Sequence, residues 1–72
     1  MSKILRSDAG FRTKHFRNAW YVSLTAVNNH YEVCEFDDGH TLSTITLFAE
    51  FTEASLAFDA VVERYQSEGE QV

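Results

Sequence analysis

Two short turn signals divide segment 20–48 into three runs that are rich in Val, Ile, Thr, Tyr and Phe. The first signal is Asn28-Asn29, and asparagine tolerates the left-handed backbone that a tight hairpin needs. The second is Asp38-Gly39, which lies between apolar runs and is among the strongest short-range indications of a hairpin. Because β-branched and aromatic residues favour strands, the segment is predicted to form a three-stranded antiparallel meander.

Side-chain alternation predicts the inward face of the first strand. Its even residues from Trp20 to Ala26 alternate with the odd ones and are expected to face the core. On the third strand, simple alternation puts Leu42 and Phe48 on the face opposite to the pair Ile45 and Leu47. A slip of one residue exchanges the two faces of a strand, so either register stays open here. The sheet is expected to have apolar groups on both faces.

The last part of the chain is predicted to be an amphipathic helix laid across one sheet face. It is expected to begin at Thr52 as its N-cap, with Phe51 packed against Leu56 across the cap. Gly69 follows the last apolar position and is the expected stop, so residues 68–72 are assigned to a frayed polar tail. The apolar face of this helix consists of Ala54, Ala57, Phe58, Val61, Val62 and Tyr65.

Residues 1–19 are assigned to a basic N-terminal arm, whose secondary structure stays open. Phe16 and Trp20 fit one face of a helix and equally one face of a long strand. The first 17 residues hold five Lys or Arg against one acid, a balance of +4, whereas the rest holds ten acids against Arg64, a balance of −9. This asymmetry indicates contact with a charged partner, or an arm that lies back on the acidic body of its own chain or of a second copy.

The chain has 72 residues, enough for one domain, which is assigned to residues 20–67 and to the α+β class. A core of three strands and one helix is thin, since a chain this short buries only about 60 % of its unfolded surface. The second sheet face is therefore predicted to be covered by another chain, most simply in a two-fold homodimer. The dimer face is assigned to Tyr21, Tyr31, Val33 and Phe48.

Cys34 is the single cysteine, so no internal disulfide can form and a reducing compartment is expected. No stretch approaches the roughly 20 apolar residues that cross a bilayer, and the N-terminus lacks the apolar run of a signal peptide. The expected location is the cytoplasm, with no membrane partner.

The sequence gives little indication of metal binding or catalysis. The candidate ligands lack the short spacings of zinc sites and the alternating acids of a calcium loop. Nucleophilic catalysis would need a cysteine or serine beside a histidine, and a free cysteine on a pleated strand is more often a small buried hydrophobe. We therefore expect no cofactor, no metal and no enzyme activity. The candidate ligands are His30, Cys34, Asp37, Asp38 and His40.

The first functional hypothesis is a small non-catalytic protein-binding module. An acidic surface can imitate nucleic acid and occupy a basic groove on a protein partner, with charge steering the encounter. On this hypothesis the chain is an accessory inhibitor or regulator encoded by a phage or mobile element. The acidic surface is assigned to Glu32, Asp37, Asp38, Glu50, Asp59 and Glu63.

The alternative is a nucleic-acid-binding protein that uses the basic, aromatic arm. Cations that pair with phosphates and rings that stack on bases alternate in this segment, as in single-strand binders. The acidic body would repel a phosphate backbone, which makes this the second hypothesis. The cations of the arm are Arg6, Arg12, Lys14 and Arg17.

Overall fold

The structure, a computed structural model, describes residues 2–12, 15–37 and 41–70, with side chains for residues 2–10, 19–36 and 41–67. These residues form one antiparallel sheet of four strands in the order β1-β2-β3-β4, followed by a C-terminal helix. The elements are β1 (Ser2–Arg12), β2 (His15–Val27), β3 (His30–Asp37), β4 (Thr41–Phe48) and α1 (Phe51–Glu70). The fold is α+β, as the sequence predicts.

The prediction of three strands is wrong, because the expected N-terminal arm contains a fourth. Residues 2–12 pair with β2 in an antiparallel register that places Ser2 opposite Val27 and Gly10 opposite Trp20. β2 begins at His15, so the long-strand reading of this region is confirmed and the helical one is wrong. Strand β1 takes the edge of the sheet, where charged side chains are tolerated and serve to prevent further pairing.

Both predicted turns lie between paired strands. Val27 pairs with His30 across Asn28-Asn29, and Asn28 has a φ of 48°, the left-handed conformation that asparagine tolerates. Asp37 pairs with Thr41, so residues 38–40 connect two neighbouring antiparallel strands. Asp38-Gly39 itself lies outside the described residues.

The core lies between α1 and the central strands, on the helix face of the sheet. Trp20, Val22 and Leu24 of β2 face it, as the alternation predicts, and so does the odd residue Val33 of β3. On α1 the predicted apolar face is confirmed, with Ala57 and Val61 at its partly buried margin. The buried residues of the core are Trp20, Val22, Leu24, Val33, Ala54, Phe58, Val62 and Tyr65.

A β-bulge interrupts each edge strand and changes which side chains share a face. In β4, Glu35 pairs with Thr44 and Phe36 with Leu42, so Ser43 is the extra residue. Its hydroxyl donates a hydrogen bond to the Glu35 carbonyl, 3.2 Å away. In β1 the corresponding shift falls between Ile4 and Arg6. Since a bulged residue opposes no partner of its own, the alternation on either side of it is out of phase.

The helix begins earlier and ends later than predicted. The Ala54 amide donates to the Glu50 carbonyl at 3.1 Å, which makes Glu50, rather than Thr52, the residue that accepts the first helical hydrogen bond. The Phe51 ring lies 5.7 Å from the ring of Tyr31 on the sheet, while the contact of Phe51 with Leu56 stays a prediction. The helix continues through Gly69 to Glu70, so this glycine does not end it.

One end of the core depends on a close approach between Gly10 and an indole ring. Trp20 stacks on Tyr65 of the helix, with ring centroids 5.3 Å apart and planes 14° from parallel. The indole also lies over Gly10, where a Cβ atom would come within 2.8 Å of the ring. Because Trp20 is buried and held by the stack, it has little room to move aside.

Replacing Gly10 with alanine is therefore expected to destabilise the fold, although the same change in an ordinary strand is stabilising by about 0.5–1 kcal/mol. Overpacking of this kind typically costs about 1–3 kcal/mol. The free energy of unfolding, measured in urea, should fall for Gly10→Ala. Ala9→Val is the control, because Ala9 is exposed on the opposite sheet face. Equal or greater stability of Gly10→Ala would contradict the packing described for Trp20.

Candidate functional site

The sheet face turned away from α1, called the open face below, is covered by no described element. The strand register defines it through rows of neighbouring side chains that cross the sheet. One row joins Tyr21, Phe36 and Leu42, and the rings of Tyr21 and Phe36 lie 5.5 Å apart. The next two rows are Ser23, Cys34, Ile45 and Thr25, Glu32, Leu47, with Ile4 of β1 beside Thr25.

Large aliphatic side chains are exposed on the open face. Ile4, Leu42, Ile45 and Leu47 expose 46 to 61 % of their surface. Single exposed aliphatic residues are ordinary on proteins, but a group on one face of a sheet indicates a contact surface. The bulge at Ser43 creates this group, because it brings Leu42 onto the same face as Ile45 and Leu47.

Small polar and sulfur side chains lie beneath this apolar group. Ser23 and Cys34 are buried, since larger neighbours surround them at the centre of the sheet. Burial raises the pKa of the Cys34 thiol above its ordinary value, and the Glu32 carboxylate adds to the rise, while a hydrogen bond with Ser23 acts in the opposite direction. At neutral pH the thiol is therefore protonated, and a protonated thiol is a poor nucleophile and a poor metal ligand.

A histidine and a carboxylate pair at the end of the open face near the first turn. His30 Nε2 lies 3.0 Å from Glu32 Oε2, and both side chains are partly buried. A carboxylate beside the ring satisfies the imidazole, so this histidine has a structural partner. The pair marks the polar rim of the apolar group.

Strand β4 forms one edge of the sheet, and most of its side chains are exposed to solvent. Every side chain from Thr41 to Leu47 is exposed, and Phe48 is partly buried. The helix side of this strand presents Thr44 and Thr46, in register with Glu35 and Val33 of β3. An edge strand has a row of backbone groups without strand partners, so an uncharged, exposed edge favours pairing with another chain.

The opposite edge, β1, is tied to the helix by Arg6. The guanidinium donates to the Ser55 hydroxyl at 2.9 Å and lies 2.8 Å from the Asp59 carboxylate. It also sits 4.5 Å from the centre of the Phe58 ring. Through these contacts Arg6 holds β1 against α1. This agrees with the interpretation that the basic segment lies back on the acidic part of its own chain.

A second polar cluster fastens the other side of the helix. Glu35 is only 7 % exposed, on the helix face of β3. Its Oε1 accepts hydrogen bonds from Arg64 Nη2 at 2.6 Å and from the Tyr65 hydroxyl at 3.0 Å. Partial burial opposes the charged form of the guanidinium, but the hydrogen bond and charge of Glu35 outweigh it and raise the pKa of Arg64. A buried carboxylate with two donors is a structural group of the core margin.

The residues assigned to the dimer face are divided between the two sides of the sheet. Tyr21 lies on the open face. Val33 is buried in the core, and Tyr31 and Phe48 pack against it from the helix side. These three are therefore on the wrong face for the predicted role, because the register pairs Leu24 with Val33 and aligns the odd residues of β3 with the core.

The predicted acidic surface is also divided. Glu50, Asp59 and Glu63 are exposed on α1 and the bend before it, and Asp59 is paired with Arg6. Glu32 lies on the open face, on the other side of the sheet. The remaining members of the set fall on Asp38 and on the Asp37 side chain, which lie outside the description.

Most of the basic residues assigned to nucleic-acid contact also lie outside the description. This holds for Lys14 and for the side chains of Arg12 and Arg17. Arg6 is described, and its guanidinium is engaged by Asp59, Ser55 and Phe58. The structure therefore brings no group of free cations together among the residues whose side chains it describes.

Metal binding finds no support in the described part of the chain. Within it, no three His, Cys, Asp or Glu side chains lie close enough together to hold a metal ion. His30 and Cys34 share the open face but lie in different rows. His40 and Asp38, the other candidate ligands, lie beyond the described ranges, as does the Asp37 side chain.

Sequence reasoning missed the residues that make the open face apolar. Simple alternation puts Leu42 and Ile45 on opposite faces of the sheet, whereas the bulge at Ser43 puts them on the same face. Ile4 was hidden in a segment read as an arm. The useful signal was the composition of segment 41–48, which has no charged residue and is rich in β-branched side chains.

Burial and charge make Cys34 a testable reporter of this face. Iodoacetamide should alkylate it in the folded chain at least about tenfold more slowly than in the urea-unfolded chain, because reaction requires both exposure and ionisation. The pH at which the rate rises should lie higher in the folded chain, since its pKa is raised there. Alkylation followed by mass spectrometry measures both. Coinciding pH profiles would contradict the described surroundings of Cys34.

Comparison with protein families, with curated proteins and with solved structures found no match for this chain. Within the described ranges, no helix combines the length and apolar character that crossing a bilayer requires.

Proposed function

We propose that this chain is a small non-catalytic protein-binding module that occupies a surface of a protein partner with the open face of its sheet. The observation that carries this proposal is the exposure of Leu42, Ile45 and Leu47 on one side of β4, with Ile4 of β1 further across the sheet. An apolar group with a polar rim is the composition of a protein contact surface.

The dimensions of the sheet suit a protein rather than a small molecule. The fold measures 40 × 20 × 16 Å along its principal axes, so its broad face covers on the order of 800 Å², close to the area that one partner buries in a stable complex. Small ligands instead bind in concave sites that enclose most of their surface. A pleated face without a covering element offers area and little enclosure.

The chemistry of the open face favours binding over catalysis. Its thiol, Cys34, is buried and protonated at neutral pH. Its described histidine, His30, is paired with Glu32 at the rim, 3.0 Å away. A nucleophile needs a base within hydrogen-bond reach, and these two side chains lie in separate rows of the sheet.

The finer proposal is an accessory inhibitor or regulator encoded by a phage or mobile element. It rests on the small size and the net charge of −5. The outer side of the helix adds Glu53 and Glu63, both exposed, which can steer the chain towards a basic partner. Contact by the open face and steering by the helix are separate contributions, the first to affinity and the second to the association rate.

The alternative, nucleic-acid binding, stays a prediction without a structural observation in its favour. Arg6, one of its four cations, is bound to Asp59 and Ser55 of the helix. The exposed carboxylates of α1 lie on the same side of the sheet as Arg6, so a phosphate backbone approaching there would be repelled.

Photo-crosslinking in the source cells tests the proposed surface. A photoreactive amino acid at position 47 should give a covalent adduct with one defined protein other than a second copy of this chain, whereas the same group at position 56 should not. The two positions are matched, because Leu47 is 61 % exposed on the open face and Leu56 is 66 % exposed on the outer side of the helix. Mass spectrometry then identifies the partner, which is purified for binding measurements.

Substitution of the same two leucines completes the test. With the purified partner, Leu47→Lys should weaken binding by about 30-fold or more, the effect of losing about 2 kcal/mol at the centre of an interface. Leu56→Lys should change the affinity by less than about threefold, because surface substitutions away from a contact have small effects. Calorimetry measures both, and circular dichroism checks the fold. Equal losses in the two variants, or crosslinks from position 56 alone, would refute the proposed surface.

A further inference from the structure

We propose that β4 is a self-association edge, along which two copies of this chain pair antiparallel to form one continuous eight-stranded sheet. This inference goes beyond the proposed function, because it concerns the edge of the sheet and not its open face. It rests on the difference between the two edges, on the charge pattern of the strands and on the position of the β4 bulge.

The two edges of the sheet differ in how well they are protected. Strand β1 contains Lys3, Arg6 and Asp8, all in register with the helix side, and a bulge next to Arg6. Charges, inward-pointing cations and bulges are the devices by which proteins prevent edge pairing. Strand β4 has a bulge near its start and five further residues, 44–48, that pair regularly with β3. That regular stretch has no charge, proline or glycine.

Charge favours a second copy as the occupant of this edge. Of the four described strands, only β4 has no ionisable side chain. In a chain with a net charge of −5, contact between two copies is repulsive over most of the surface. Pairing along β4 places no like charges opposite each other. A partner selected by charge would find no complementary group there, whereas a second copy matches the apolar pattern.

The position of the bulge sets the register of the pair. The regular stretch is centred on Thr46, which lies opposite itself when two copies pair antiparallel about a two-fold axis. Ile45 of one copy then lies opposite Leu47 of the other on the open face. Cross-strand pairs of aliphatic and β-branched residues stabilise such a ladder by about 0.2–1 kcal/mol each.

The symmetry also determines the shape of the dimer. The two-fold axis that relates adjacent antiparallel strands is perpendicular to the sheet, so both helices lie on one side and both open faces on the other. Ile45 and Leu47 of the two copies meet at the centre of the widened face, and Leu42 of each copy lies further along the strand. The protected β1 strands become the outer edges, which closes the assembly at two copies.

The dimer is expected to be weak and concentration-dependent. Two short edge strands bury less than the roughly 800 Å² per partner of standard complexes. Sedimentation velocity from about 5 µM to about 1 mM should therefore show the mass rising from the 8.3 kDa of one chain towards twice that value. A chain that stays at 8.3 kDa throughout, or that grows beyond two copies, would overturn the proposal.

Charged variants at Thr46 provide the specific test. Thr46 is exposed and points to the helix side of β4, so substitution leaves the open face unchanged. Thr46→Lys and Thr46→Glu should each be monomeric over the same range, because like charges would lie opposite each other at the axis. An equal mixture of the two variants should dimerise again. This rescue cannot come from a folding defect.

The control is the same type of substitution on the other edge. Ser7→Lys, at an exposed position of β1, should dimerise like the unsubstituted chain. Dimerisation of Thr46→Lys alone, or loss of the dimer in Ser7→Lys, would overturn pairing through β4. These measurements need no other protein, so their failure is distinct from failure of the proposed partner contact.

Discussion

The packing of one helix on four strands is the constraint that shapes this protein. An α-helix with its side chains is about 10 Å wide, whereas four strands spaced about 4.8 Å apart are wider. The helix therefore covers β2 and its neighbours and leaves the helix side of β4, with Thr44 and Thr46, exposed. The other face of the sheet has no described cover at all.

Two polar clusters fix the helix on either side of its apolar face. On the β1 side, Arg6 joins Asp59 and Ser55 while its guanidinium lies over the Phe58 ring. On the β3 side, the buried Glu35 receives Arg64 and Tyr65. The first cluster is exposed and contributes little stability by itself. The second is different, because loss of its donors would leave a buried carboxylate without compensation.

These clusters also account for several of the charged side chains. Arg6 of β1 and Glu35 of β3 both point to the helix side and pair with residues of α1. The apparent contrast between a basic arm and an acidic body is thus partly resolved inside the fold, at Arg6 and Asp59. What remains is an acidic outer helix surface on one side and an apolar sheet face on the other.

The parts of the fold that depend on local periodicity could be predicted from the sequence. The apolar face of α1, the inward residues of β2 and the turn at Asn28-Asn29 follow from spacing and propensity alone. Strand β1 could not be recognised, because its Gly10 and charged residues are atypical of strands and gain their place only by pairing with β2.

The candidate site was hidden for a different reason. A bulge adds one residue to a strand, and the sequence around Ser43 contains no signal that predicts it. Without the bulge, Leu42 is assigned to the helix side and the aliphatic group disappears. Tyr31 and Val33 were put on the predicted dimer face because the register of β3 against β2 was not known, although they belong to the helix side. The register depends on how two strands pair, so the sequence of one strand alone does not determine it.

The apolar group of the open face and the unprotected edge of the sheet both result from the sequence of β4. Its bulge collects aliphatic side chains on one face, and its lack of charge leaves the backbone edge unprotected. In a monomer this combination favours uncontrolled association. Strand β1 at the other edge has charged residues and a bulge, which prevent such pairing. A strand that keeps both features, in a chain that protects β1, is better explained as an interface than as an unfinished edge. In the proposed dimer, the acidic helices lie on the face opposite the open face, where their charge would keep separate dimers apart in solution.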